Sequence, residues 1–154
     1  AMAALVLAVE SARRGSSLYR SLRDGSEKFS GECIPVYSGT ILLSKFCSAD
    51  AARLSIKGFV DKSENKKQEG WLLRDVLLNS IKKEDLKPGA LVRVSSSSRG
   101  KKADLSWQDV SDEANLVILA PTKQGTLKLA SVMRGLDTRT TWIQDVDRIE
   151  IIRP

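Results

Sequence analysis

Histidine is absent from this 154-residue chain, and cysteine and aromatic residues are scarce. Without histidine there is no Ser-His-Asp or Cys-His catalytic arrangement, no histidine zinc ligand and no histidine pH switch. Two cysteines are too few for a disulfide-stapled scaffold or a four-cysteine metal site. The glycine-rich phosphate-binding and dinucleotide-binding motifs are missing as well. We therefore predict a protein that is not an enzyme and that uses neither a cofactor nor a metal.

Long apolar runs are also missing. The longest run near the start covers residues 3–9 and stops at Glu10, far short of the ~20 residues that a membrane span needs. It lacks the basic flank of a signal peptide, so we expect an intracellular protein without membrane contact. On that ground, Cys33 and Cys47 are expected to be free thiols, because disulfides are rare in reducing compartments.

The chain has the composition of one globular domain, with 42% hydrophobic and 29% charged residues. It carries 25 basic and 19 acidic side chains, for a net charge of +6. Residues 1–60 and residues 61–110 each contribute +3, whereas residues 111–154 are neutral. Such an excess suits an acidic peptide, a phosphorylated segment or nucleic acid, although many ordinary domains are also basic. An electrostatic site is expected in the first two-thirds of the chain.

The hydrophobic pattern changes along the chain. Apolar residues recur at helical spacing between Leu5 and Leu22, which predicts an N-terminal helical extension over residues 1–30. Residues 31–154 then form a β-rich domain. Its strands are predicted at residues 34–43, 51–60, 90–95, 115–120 and 148–152.

Individual segments of this domain give further expectations. The apolar run that ends at Pro121 predicts a buried central strand. A short amphipathic helix is predicted from Trp71 to Ile81, after a polar loop over residues 61–69. Residues 126–136 fit either a helix or a strand, and we prefer the helix. Leu54, Ile56, Val117, Leu119 and Ile151 are predicted core residues.

A serine-rich basic segment over residues 95–102 offers one candidate site. Arg99, Lys101 and Lys102 could contact phosphates, with Trp107 as a stacking platform for bases. The competing interpretation is a solvated hairpin tip with Trp107 packed against the core. Nucleic-acid binding by a β-barrel domain is therefore the alternative function.

Another segment resembles a known family. Residues 35–45, with the sequence Pro-Val-Tyr-Ser-Gly-Thr-Ile-Leu-Leu-Ser-Lys, look like the opening strand of the SPOC domain. That domain is the C-terminal module of Split-ends-type regulators of transcription and RNA processing. Four further segments resemble later family elements in the same order: residues 51–58, 73–74, 116–121 and 149–154.

The resemblance implies an α+β fold, with an antiparallel β-barrel-like sheet and flanking helices. It also implies a nuclear interaction module, with the cytoplasm as the other location, that binds acidic or phosphoserine-containing peptides of partner proteins. The family's basic patch corresponds to Lys45, Arg74 and, in a less direct match, Arg139. Arginine would offer phosphate a bidentate fork and lysine a point charge. Leu78 and Ser80 stand where the family carries further arginines.

Overall fold

The computed structural model of the protein describes residues 28–154, so the helical extension predicted over residues 1–30 lies almost wholly outside the described residues. The described part contains nine strands, three short α-helices and two 3-10 turns. Strands β1 to β9 cover Ile34–Ser38, Ile41–Phe46, Lys57–Asp61, Lys66–Leu72, Leu91–Ser96, Lys101–Ser106, Ile118–Pro121, Leu127–Ala130 and Arg148–Ile152. Helices α1 to α3 cover Ser48–Ala51, Leu73–Ser80 and Trp107–Ser111, and the 3-10 turns cover Lys83–Asp85 and Glu113–Asn115.

The strands form two separate sheets. One has five strands in the order β2-β1-β9-β5-β6, and the other has four in the order β3-β4-β7-β8. All neighbours are antiparallel except β1 and β9, which are parallel. The α+β class with antiparallel-rich sheets is confirmed. A barrel-like closure is not confirmed, because within residues 28–154 each sheet ends in two edge strands.

The core forms where the strands turn their apolar sides inward. In β5 the buried Val92 and Val94 alternate with half-exposed residues, and in β9 Ile149 and Ile151 do the same. This period of two is that of a sheet with one face on the core. Strand β7 is buried along its whole length, as expected for a strand between β4 and β8 that is covered on both faces.

The predicted core is largely confirmed. Val117, Leu119 and Ile151 are buried, whereas Leu54 and Ile56 are only partly buried against the core. The difference arises because α1 occupies part of the predicted second strand, and β3 starts only at Lys57. Leu54 and Ile56 therefore lie in the connection that precedes β3.

Three other segments differ from expectation. Residues 61–69 are not a simple loop, because β3 and β4 pair as a hairpin from Lys57↔Gly70 to Asp61↔Lys66. Trp71 consequently lies at the end of β4 rather than on the helix that follows. The preferred helix over residues 126–136 is wrong: Leu127–Ala130 is strand β8, whose pairing with β7 outweighs the helical spacing of its apolar residues.

The expectation of free thiols is also wrong, because Cys33 and Cys47 form a disulfide. The pair Ile34↔Phe46 is the last pair of the β1–β2 ladder. Cys33 and Cys47 are the next residues beyond it on the two strands, with their Cα atoms 4.3 Å apart. Sequence spacing does not reveal this juxtaposition, which the hairpin creates. Because disulfides persist in oxidising compartments, the bridge removes one argument for a reducing location, and nuclear localisation stays a prediction. No helix in the described part of the chain is both long and apolar enough to cross a membrane.

Candidate functional site

Arg74, one of the residues of the predicted peptide site, already has partners within the protein. Its Nε lies 3.2 Å from Asp75 Oδ1, and its Nη2 lies 3.7 Å from Glu113 Oε1. Its Nη1 donates a hydrogen bond of 3.4 Å to the carbonyl oxygen of Ser111. The guanidinium thus connects α2 to the segment after α3, and two carboxylates offset its charge.

Lys45 lies on a different surface from Arg74. Its neighbours on β2, Ser44 and Phe46, pair with Val36 and Ile34 on the core face, so Lys45 projects from the opposite face. The hydroxyl of Ser44 donates to that of Ser80, the last residue of α2, whereas Arg74 lies in the first turn of that helix. The structure does not bring Lys45 and Arg74 into one patch.

Arg139 also has partners within the chain. Its Nε donates to Asp61 Oδ2 at 2.5 Å and lies 3.6 Å from Glu64 Oε2, and its guanidinium stacks 5.6 Å from the ring centre of Trp142. Hydrogen bonding from Arg139 is the main cause that lowers the pKa of the buried Asp61 carboxyl, with Ser63 also contributing. Arg139 therefore fastens the segment before Trp142 to the β3–β4 hairpin.

Two cations of the nucleic-acid alternative also have partners within the chain. Arg99 Nε donates to Asp145 Oδ2 at 2.8 Å, and hydrogen bonds from Thr126 and then Arg99 lower the pKa of that carboxyl. Lys101 Nζ donates to the carbonyl oxygens of Thr140 and Trp142, at 2.7 and 3.1 Å. Trp107 starts α3 and packs, half-buried, against the core. The predicted stacking platform with adjacent cations is thus not assembled.

The five-stranded sheet presents its second face to solvent. We use the term outer face for the side chains that alternate with its buried residues. They are Pro35 and Tyr37 on β1, Leu42 and Lys45 on β2, Arg148, Glu150 and Ile152 on β9, Leu91, Arg93 and Ser95 on β5, and Lys102, Asp104 and Ser106 on β6. All of these side chains are exposed or half-exposed.

Three cations of the outer face lie in one line across the sheet. Lys45 pairs with Pro35 in register, and Ser95 pairs with Arg148 on one side and with Lys102 on the other. Extending the β1–β9 register by one residue places Arg148 beside Pro35. Because strands lie ~4.8 Å apart, successive cations are ~10 Å apart at the backbone. We call Lys45, Arg148 and Lys102 the cation row.

The members of the cation row differ in how they are held. The Arg148 guanidinium lies 3.9 Å from the ring centre of Tyr37, and its Nε lies 3.9 Å from Glu150 Oε1. Lys45 has no ion-pair partner among the described residues. Lys102 has none there either, although its charge helps to lower the pKa of Asp104. The row therefore keeps two lysines available to an incoming anion.

In the neighbouring row of side chains on the outer face, the positive and negative charges nearly cancel. Arg93 and Asp104 form a bidentate pair, with bonds of 2.7 and 3.0 Å. This pairing lowers the pKa of Asp104 and raises that of Arg93. With Glu150 as the remaining carboxylate, the whole outer face carries four cations and two anions. Its excess positive charge lies in the cation row.

No metal site is assembled in the described residues. Within residues 28–154 no three carboxylates or cysteines converge on a metal position. Asp145 and Asp147 accept hydrogen bonds from Arg99 and Ser97. A cavity of about 460 Å³ is lined by Phe59, Asp61 and Trp142 among others, but its buried carboxyl is engaged by Arg139.

Comparisons of the chain with protein-family profiles, with curated proteins and with solved structures find no match. The resemblance to the SPOC domain therefore stays a prediction. Sequence reasoning singled out Lys45 and Lys102 but missed Arg148 and Tyr37. The alternation of Arg148 and Glu150 with buried isoleucines in the last strand was the available signal for an outward-facing arginine. No sequence signal revealed which strands would lie beside β9.

Proposed function

We propose that this protein is a non-enzymatic interaction module that binds acidic segments of partner proteins on its outer face. The observation that carries the proposal is the cation row, in which Lys45, Arg148 and Lys102 cross the open sheet with only Pro35 and Ser95 between them. Lysine offers a point charge to a carboxylate or phosphate, and arginine offers a planar fork. The row thus has the chemistry that an acidic or phosphoserine-containing peptide requires.

The proposal keeps the ligand class implied by the SPOC resemblance but relocates the site. Lys45 remains in it, while Arg148 and Lys102 replace Arg74 and Arg139. Among the described residues, Arg74 and Arg139 each contact two carboxylates of the chain, whereas Arg148 contacts Glu150 alone and Lys102 contacts none. A SPOC-like architecture and a role in transcription or RNA processing belong to the proposal through the resemblance alone. Whether a phosphate strengthens binding is a separate outcome of the experiment below.

Nucleic acid is the competing ligand for a basic sheet face. Two of its predicted contacts, Arg99 and Lys101, are engaged within the chain, and the predicted stacking residue Trp107 packs half-buried against the core. These contacts favour an acidic peptide over nucleic acid as the ligand of the outer face. Nucleic-acid binding would also fall steeply with salt, because each phosphate contact releases counterions.

The decisive variant reverses two charges of the cation row, Lys45→Glu with Lys102→Glu. Binding of a labelled glutamate-serine peptide, and of its phosphoserine form, would be measured by fluorescence anisotropy at fixed ionic strength. We expect at least tenfold weaker binding, because reversed charges repel the peptide. Thermal stability should change little, since exposed charges contribute little to folding.

The matched control is Lys82→Glu with Lys87→Glu. These two lysines are exposed and have no ion-pair partner in the described part of the chain. The control lowers the net charge of +6 by the same amount, so any loss due to overall charge would appear in both variants. Equal losses would refute a localised site. Sequence-independent binding of single-stranded nucleic acid, lost in Arg99→Glu but not in the row variant, would favour the alternative.

A further inference from the structure

The β1–β2 hairpin contains a β-bulge that turns one leucine outward. Val36 pairs with Ser44, but Tyr37 pairs with Leu42, so Leu43 is an extra residue on β2. Leu43 packs, partly buried, against the core, while Leu42 is 46% exposed. Bulges commonly re-aim a side chain, and this one places the aliphatic Leu42 on the outer face, opposite Tyr37.

Leu42 lies beside the cation row. It is directly opposite Tyr37, whose ring carries the Arg148 guanidinium. Tyr37 is two residues from Pro35, which belongs to the line of the cation row, so the apolar pair lies ~7 Å from that line. Leu42, Tyr37 and Lys45 thus bring an aliphatic side chain, an aromatic ring and a cation together at one edge of the sheet.

We infer that the ligand of the outer face carries an apolar side chain next to its acidic group, and that this side chain packs against Leu42 and Tyr37. The inference rests on the proposed function. Charged contacts supply specificity and association rate more than affinity, whereas burying an apolar side chain against another apolar surface adds binding energy in proportion to the area removed from water. The exposed leucine and the tyrosine provide such an anchor surface.

The spacing defines the partner more closely. In an extended chain, residues i and i+2 project from the same side and are separated by ~7 Å. This equals the distance between the cation row and the Leu42–Tyr37 pair. The partner is therefore an extended segment in which an apolar residue stands two positions from a glutamate, an aspartate or a phosphoserine.

Two peptides and two variants test the inference. The probes are a labelled peptide of Glu-Ser-Leu-Ser repeats and its counterpart of Glu-Ser-Ser-Ser repeats. We expect the leucine peptide to bind the unmodified protein about tenfold more tightly than its counterpart. Leu42→Ser should remove this preference without changing the salt dependence. Leu78→Ser is the matched control, because Leu78 is similarly exposed, at 43%, on α2.

The outcomes separate this inference from the proposed function. If the two peptides bind equally to the unmodified protein, or if Leu42→Ser leaves the preference intact, the apolar anchor is refuted while charge recognition stands. If the charge-reversed Lys45/Lys102 variant binds both peptides as the unmodified protein does, the proposed function itself fails. The peptide comparison needs no variant, so it decides the anchor even where a substitution impairs folding.

Discussion

The free energy of unfolding should fall by about 3–4 kcal/mol when Leu119 is replaced by alanine. Leu119 is fully buried in β7, in register with Trp71 of β4 on one side and Leu129 of β8 on the other. Both neighbouring strands are fixed by ladder hydrogen bonds, so they cannot close onto the vacated space. The cost therefore includes a residual cavity as well as the lost burial of the side chain.

The measurement is chemical denaturation followed by circular dichroism. The midpoint should shift to lower denaturant concentration while the slope of the transition stays constant, which identifies a change in stability alone. For a chain of this size, a loss of about 3 kcal/mol corresponds to a Tm lower by roughly 10 °C. The loss should be the same with and without peptide ligand, because Leu119 lies far from solvent.

Leu78→Ala is the control, since it removes the same atoms from an exposed position on α2. It should change stability by no more than about 0.5 kcal/mol, because alanine also favours the helix. If Leu119→Ala costs less than about 1 kcal/mol, or no more than the control, β7 is not the central buried strand and the reasoning is refuted.

Three further predictions concern backbone packing, the disulfide and acid stability. Gly70→Ala should lower the free energy of unfolding by about 3 kcal/mol or more in denaturation experiments, because its Cβ would lie 2.1 Å from the Leu119 carbonyl oxygen. The control is Gly135→Ala, which has open space but a positive φ and should cost about 1 kcal/mol. Replacing Cys33 and Cys47 together by serine should lower stability by about 2–3 kcal/mol, and a thiol assay on the unreduced, denatured protein should find no free thiol. The pKa values of Asp61, Asp104 and Asp145 are all depressed in the folded state, so stability should be constant above about pH 5 and fall as the pH drops below about 4. Asp104→Asn should remove only part of that fall.

Local patterns were reliable where a strand is buried on one face or on both. The alternation in β5 and β9 and the continuous apolar run of β7 follow directly from the period of the strand. The same patterns were unreliable where the apolar residues of a short segment fit both the helical period and the strand period. Leu127–Ala130 carries apolar residues at spacings that suit a helix, and only pairing with β7 makes it a strand.

The candidate site was predictable only in part. Lys45 was predicted from the family-like strand and Lys102 from the serine-rich basic segment, and both belong to the cation row. Arg74 and Arg139 were equally basic in the sequence, yet carboxylates distant along the chain, Glu113 and Asp61, hold them. An arginine's availability depends on which acids fold against it, and that information is not local.

The absence of histidine chemistry, the excess of positive charge, the alternation of the strands and the burial of Val117, Leu119 and Ile151 all follow from local sequence. Which cations lie together depends instead on the order of the strands in the sheet. The order β2-β1-β9-β5-β6 brings Lys45, Arg148 and Lys102 into one line from positions up to 103 residues apart, and it pairs Cys33 with Cys47. The physical reason is that side-chain periodicity depends on neighbours a few residues away, whereas strand order depends on how two whole sheets bury their apolar faces.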